Sequence, residues 1–258
     1  MRCARLLRVT CTCITIITAV LPLAYVHAET VTCTPITALP AVITVQGIYC
    51  FTGDLSAAST GGTIPAIDIQ TNNVVLDLNG FKLGGLGVGP GTNETGIRVS
   101  NRQNVTIKNG TVRGFLYGIV LDDGGASQGH LVEDIRADQN TYFGLYVVGT
   151  GNIVRNNQVV ATGGSTAFGP NASAFGIYVS GSGSRVLNND VINTLKQGAG
   201  IARGIFIQTM SGGMAVNNRI TGADRGIEFD ASTGKYRDNL TFGVATPFTL
   251  GTDAGNNN

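Results

Sequence analysis

The sequence predicts an all-β fold: a parallel β-helix, a three-sheet solenoid in which about eight coils stack into one rod. Three observations carry this. A Gly-Ile/Leu-x-hydrophobic unit recurs six times: Gly96-Ile97-Arg98-Val99, Gly118-Ile119-Val120-Leu121, Gly144-Leu145-Tyr146-Val147, Gly176-Ile177-Tyr178-Val179, Gly204-Ile205-Phe206-Ile207 and Gly226-Ile227-Glu228-Phe229. Its glycines lie 22 to 32 residues apart, and self-similarity at such a period marks a solenoid. Polar pairs recur between apolar stretches, at Asn156-Asn157, Asn188-Asn189 and Asn217-Asn218. The hydrophobic pattern has period two, that of strands, and no helical period.

The first element is a leader. Arg2, Arg5 and Arg8 form a positive start, residues 9–24 are mostly apolar, and Val26-His27-Ala28 is a small-residue cleavage site. Residues 1–28 therefore read as a signal peptide, and the protein as exported, periplasmic or extracellular. The apolar run is short for a bilayer span and Pro22 interrupts it, so no transmembrane segment is expected. Three of the five cysteines leave with the leader. Cys33 and Cys50 remain, an even number in an exported chain, and read as one disulfide.

The rest, about 230 residues, suits one domain, 29–258. Residues 29–50 are expected to form a disulfide-tied cap, 51–244 the coils, and 245–258 a C-terminal cap or tail. With 37 glycines and only 13% charged residues the chain could be disordered, but the strong periodicity argues against that. Losing three arginines and no acids turns the whole-chain charge of +1 slightly negative. Such a chain lacks the basic surface that nucleic acid requires.

Within each coil the Gly-Ile unit is the first strand. A second apolar stretch follows, as in Ile153-Val154 or Arg185-Val186-Leu187, then the asparagine pair, then a third, as in Val159-Val160 or Val191-Ile192. Asparagine tolerates the left-handed angles of a tight corner, and its amide can bond to amides above and below. Two inward columns follow: Ile97, Ile119, Leu145, Ile177, Ile205 and Ile227, then Val99, Leu121, Val147, Val179, Ile207 and Phe229.

The six Gly-Ile strands and the asparagine corners resemble the right-handed parallel β-helix superfamily, the pectate-lyase-like group that includes carbohydrate-binding and sugar-hydrolase modules. Residues 73–80 (NVVLDLNG) and 104–110 (NVTIKNG) resemble its early coils. The resemblance spans about residues 41–244. It implies that the asparagine corner separates the second and third sheets, and that the Gly-Ile strands form a first sheet whose outer face carries any cleft. It does not fix an activity, since this fold hosts lyases, hydrolases, epimerases and proteins with no reaction.

Period two turns Arg98, Val120, Tyr146, Tyr178, Phe206 and Glu228 outward on that sheet, with Ser100, Asp122, Val148, Ser180, Gln208 and Asp230 two positions on. The long loops 84–95, 161–175 and 193–203 enter the same sheet, where function tends to gather. Tyr146, Tyr178 and Phe206, with Gln208 and Glu228 beside them, are the candidate sugar-binding residues, because aromatic faces stack on sugar rings. The simpler alternative is that these rings pack on one another between coils. The expected partner is a polysaccharide; the oligomeric state stays open.

Catalytic candidates are Asp122, Asp123, Arg98 and His130. A lyase would need acidic calcium ligands and an arginine or lysine to take a proton. A hydrolase would need two or three acids across a cleft. Asp122-Asp123-Gly124-Gly125 also suits a plain turn. No Asn-Thr-Asp strand, Gly-His-Gly, phosphate loop, calcium nonapeptide or zinc cluster is present. No cofactor or metal is expected, calcium entering only with the lyase reading. Whether the protein is an enzyme stays open, with a structural surface protein as a third possibility.

Overall fold

Strands recur in a fixed order along the chain because each coil spends one short apolar run on each of three sheets. The computed structural model describes residues 32–122, 124–208, 211–231 and 233–258. The expected leader, 1–28, lies outside them, as does Asp123. The described residues hold 23 strands and one 3₁₀ turn, Leu86–Gly91, and Cys33–Asn258 is one compact unit.

Sheet 1 stacks Ala41–Ile43, Ile67–Ile69, Thr95–Ser100, Tyr117–Asp122, Phe143–Val148, Ala174–Ser180, Ala202–Gln208 and the later parts of Arg219–Phe229 and Leu240–Thr249. Sheet 2 runs from Thr34–Ile36 and Gly47–Phe51 to Thr252–Asp253. Sheet 3 runs from Leu55–Ser56 to the start of Leu240–Thr249. All of these pairings are parallel, so backbone bonds run from coil to coil. Both inward columns are in register and at most 1% exposed.

The coils extend past 51 and 244 at both ends. Thr34–Ile36 pairs with Tyr49–Phe51, so the expected cap already belongs to the stack. Leu240–Thr249 and Thr252–Asp253 continue it at the other end. The Cys33–Cys50 disulfide is formed and staples the first two strands of sheet 2 together. It closes a 17-residue separation, for which chain entropy gives about 3 kcal/mol.

The asparagine corner works as a buried hydrogen-bond ladder. Asn156, Asn188 and Asn217 take φ of 56°, 56° and 53°. The residue after each turns inward: Asn157, Asn189, Asn218 and Asn239 are at most 2% exposed. Each Nδ2 donates to the next rung's Oδ1 at 3.0 Å, ending on Asn257. Each also donates to a carbonyl of the preceding coil, and each Oδ1 accepts a backbone N–H. Burial is tolerated because the polar atoms are paired.

Strict alternation fails at one place in each of the six Gly-Ile strands of sheet 1. A Cβ on Gly144 would sit 2.6 Å from the Gly176 carbonyl oxygen and 2.7 Å from Val159 Cγ1, inside the coil. Gly118 and Gly176 meet the carbonyls of Gly144 and Gly204 in the same way, at 2.5 and 2.6 Å. The glycine and the residue after it both face inward, so the residue before the glycine is turned out. We expect Gly144→Ala to destabilise the protein by about 1–3 kcal/mol, as overpacking against backbone does. Urea unfolding followed by circular dichroism measures it; an unchanged midpoint would show that the coils are not in contact there.

Candidate functional site

The break at glycine gives sheet 1 an additional outward column: Thr95, Tyr117, Phe143, Phe175, Arg203 and Arg225, all in register. The sequence reading missed this column because it carried strict alternation through the glycine. The signal was present in the aromatic residue that precedes three of the glycines, as Tyr117-Gly118, Phe143-Gly144 and Phe175-Gly176. Beside it runs the expected column, with Val120 next to Arg98, then Tyr146, Tyr178, Phe206 and Glu228.

The rings of the two columns stack along the rod. Tyr146 and Tyr178 are 4.8 Å apart and nearly parallel at 18°; Phe143 and Phe175 are 4.8 Å apart at 20°; Tyr117 and Phe143 are 5.5 Å apart at 15°. Tyr142 crosses Phe143 at 4.5 Å, and Phe168, from loop 161–175, packs on Tyr142 at 4.6 Å. Most ring faces are therefore covered by neighbours, as cross-strand packing favours. One column of rings stops at Val120, and the other stops one coil further on, at Thr95. There a groove of about 570 Å³ opens, lined by Tyr117, Tyr142, Phe143, Tyr146, Phe175 and Tyr178, with Thr95, Arg98, Val120 and Asp122 on its other side.

Of the expected sugar-binding residues, Tyr146 and Tyr178 line this groove, while Phe206, Gln208 and Glu228 do not. Phe206 packs on Tyr178 at 5.3 Å, beyond the groove. Gln208 accepts a hydrogen bond from the Tyr178 hydroxyl. Glu228 is 7% exposed and closed between Arg203 and Arg225, so it is spoken for as a structural anion. Arg203 in turn lies over Phe175 and Phe206, at 5.0 and 5.6 Å from the ring centres, and ends the aromatic stack. Burial pushes the hydroxyls of Tyr117, Tyr142 and Tyr146 up, and that of Tyr178 to about 12, so all four stay protonated.

Of the catalytic candidates, Arg98 and Asp122 share the groove. Asp68, from the preceding coil, grips Arg98 with two hydrogen bonds, at 3.1 and 2.9 Å. Those bonds push the guanidinium further up, which opposes a role as proton acceptor. Although burial works against it, the bonds from Arg98 and Gln70 hold the Asp68 carboxyl below its ordinary range, so it is a poor acid. A separate polar basin of about 300 Å³, lined by Asp68, Gln70, Arg98, Ser100 and Arg102, adjoins the groove across this pair. Among the described residues no group of three or more His, Cys, Asp or Glu side chains gathers to hold a metal.

His130 is not in the groove. It is 1% exposed at the turn into sheet 2, where its backbone N–H donates to Asn152 Oδ1 at 2.9 Å. Its Nδ1 accepts the Val105 N–H at 3.2 Å, and Nε2 meets Ser127 Oγ at 2.8 Å. The neutral ring thus acts as a corner rung where the next coil uses Asn152, which corrects its candidacy as a catalytic residue. Asp123 lies outside the described residues.

A family model described as right handed beta helix region matches residues 95–255, and the chain belongs to that family. No curated protein and no solved structure matches it. Among the described residues no helix is long and apolar enough to cross a membrane.

The buried His130 predicts a pH dependence. Burial pulls its pKa down from 6.5 to about 4. The unfolded chain then binds a proton on His130 that the folded one refuses. Stability is untouched above about pH 6.5 and falls as pH drops from there towards 4, by up to about 3 kcal/mol. His130→Asn, which copies the rung of the next coil, is expected to flatten this fall. The readout is the difference in urea midpoint between neutral and mildly acidic buffer, and equal differences in the two proteins would refute the assignment.

Proposed function

We propose that this member of the right-handed β-helix family binds polysaccharide through the aromatic groove on the outer face of sheet 1, without a reaction of its own. One observation carries the reading: the two aromatic columns end at Val120 and Thr95, which leaves the uncovered sides of Tyr146 and Tyr117 facing an open groove. An aromatic face in a partly dry cleft is suited to the apolar face of a sugar ring. The hydroxyls of Tyr117 and Tyr146 stay protonated and can donate to sugar oxygens at any ordinary pH. Coils repeat about every 4.8 Å, near the length of one sugar unit, so a glycan chain can follow the rod. The protein would meet its ligand outside the cytoplasm: the N-terminal leader pattern and the Cys33–Cys50 disulfide both favour an oxidising compartment.

The alternative is a lyase or hydrolase, favoured by Arg98 and Asp122 sharing the groove. It is weakened by the Asp68 grip on Arg98 and by hydroxyls held protonated, since neither group is poised to take a proton. New reducing ends or unsaturated products from a polysaccharide panel, lost in Asp122→Asn, would establish it.

The binding reading is tested at Tyr146. Tyr146→Val repeats the residue found at the same place one coil away and should fold. It removes the end ring of the stack, and we expect glycan affinity to fall by about tenfold or more, on the order of 1.4 kcal/mol. Phe206→Ala, outside the groove, is expected to change it much less. Calorimetry or affinity electrophoresis on a glycan panel measures both. Equal losses in the two variants would point away from the groove.

A further inference from the structure

The charges along sheet 1 bear on which glycan the groove can take. We infer that it is built for an uncharged saccharide and not for a polyuronate, an inference that rests on the polysaccharide-binding reading above. A polyanionic chain needs available cations at intervals along its path. The outward arginines of sheet 1 are already used. Arg98 is closed by the nearly buried Asp68 at 2.9 Å, and Arg203 and Arg225 both close on Glu228. Between Arg98 and Arg203 the two aromatic columns offer Val120 and rings, and the column two positions on offers Asp122, Val148 and Ser180, so none of these positions is a cation.

The remaining charge in the groove has the wrong sign for a uronate. Asp122 lines it, and among the described residues Asp122 makes no salt bridge. Arg102 lies in the adjoining basin, beside the Asp68–Arg98 pair, and donates to the Asn101 carbonyl at 3.1 Å. Counting the groove and basin together, Arg98 and Arg102 face Asp68 and Asp122, so the charges cancel. A sugar carboxylate moved onto the aromatic wall would lose hydration and gain no cation, which is costly. A hydroxyl-bearing ring would lose less, and it can accept from the hydroxyls of Tyr117, Tyr142 and Tyr146, while the Tyr178 proton is already given to Gln208.

The test uses the intact protein with paired probes. Polygalacturonate is compared with its carboxyl-reduced counterpart, which keeps the linkage and removes the charge, alongside neutral glucans, mannans and xylans. Affinity electrophoresis or calorimetry is run in about 50 and about 500 mM NaCl, where screening differs strongly. The expected result is binding to at least one neutral glycan, at least about tenfold tighter than to polygalacturonate and insensitive to salt. Tighter binding of polygalacturonate, weakening with salt and lost in Tyr146→Val, would overturn the neutral-ligand inference and leave the binding reading standing. Binding to no glycan at either salt would overturn the binding reading itself and this inference with it.

Discussion

The close approach of neighbouring coils at the sheet 1 glycines is the constraint on which the outer face depends. A carbonyl oxygen from the next coil occupies the place where a Cβ would be, at 2.5 to 2.6 Å for Gly96, Gly118, Gly144 and Gly176. Glycine alone fits without something shifting. Because the glycine position faces the interior, the strand presents two inward residues in succession. The residue before them is then carried to the outer face, where it would otherwise have been buried. Phe143 shows the consequence: it is almost fully buried, yet by the rings of Tyr146, Phe175 and Tyr178 on the outside of the coil and not by the core. One backbone contact, repeated from coil to coil, thus adds a second column beside the one that alternation provides.

The remaining corners hold that face still. The asparagine rungs fix the turn between sheets 2 and 3 with side-chain bonds at 3.0 Å from coil to coil. His130 and Asn152 do related work at the turn from sheet 1 into sheet 2. A coil pinned at its corners and filled by stacked isoleucine and valine has little freedom to twist against its neighbour. Rings placed on such a scaffold are ordered before any ligand arrives, which removes part of the entropic cost of binding.

The coil was legible in the sequence because its rules are local and repeat. Ile177 over Leu145, and Asn189 over Asn157, follow from spacing alone, and each is found stacked where the spacing puts it. The outer face was legible only in half. Alternation correctly turned Tyr146 and Tyr178 outward, but it could not reveal that Phe143 and Phe175 join them, since that depends on a contact between coils. Glu228 looked like a ligand residue for a similar reason: its partners Arg203 and Arg225 also precede glycines and reach the surface only through the same break in alternation. The outermost strands were not legible because Thr34–Ile36 and Thr252–Asp253 are three and two residues long, too short for a period to show, although they pair parallel in the same stack.

The position of the groove follows from where the two columns change character. Towards the C-terminal side the rings run into Arg203, whose guanidinium covers Phe175 and Phe206 while Glu228 neutralises it. That end is sealed by a cation–π contact and an ion pair, so it offers neither an aromatic face nor a free charge. Towards the N-terminal side the rings stop against Thr95 and Val120, which are too short to continue the stack. An aromatic stack left open at one end exposes apolar area that a soluble protein tends to cover. Here the opening is bordered by Arg98 and Asp122, whose polar atoms would be within reach of a ligand laid on the rings. Apolar floor, polar rim and rigid walls are the properties of a binding cleft; the floor gains Tyr117, Phe143 and Phe175 from the positions before the glycines, while the rim comes from the alternating positions of Arg98 and Asp122.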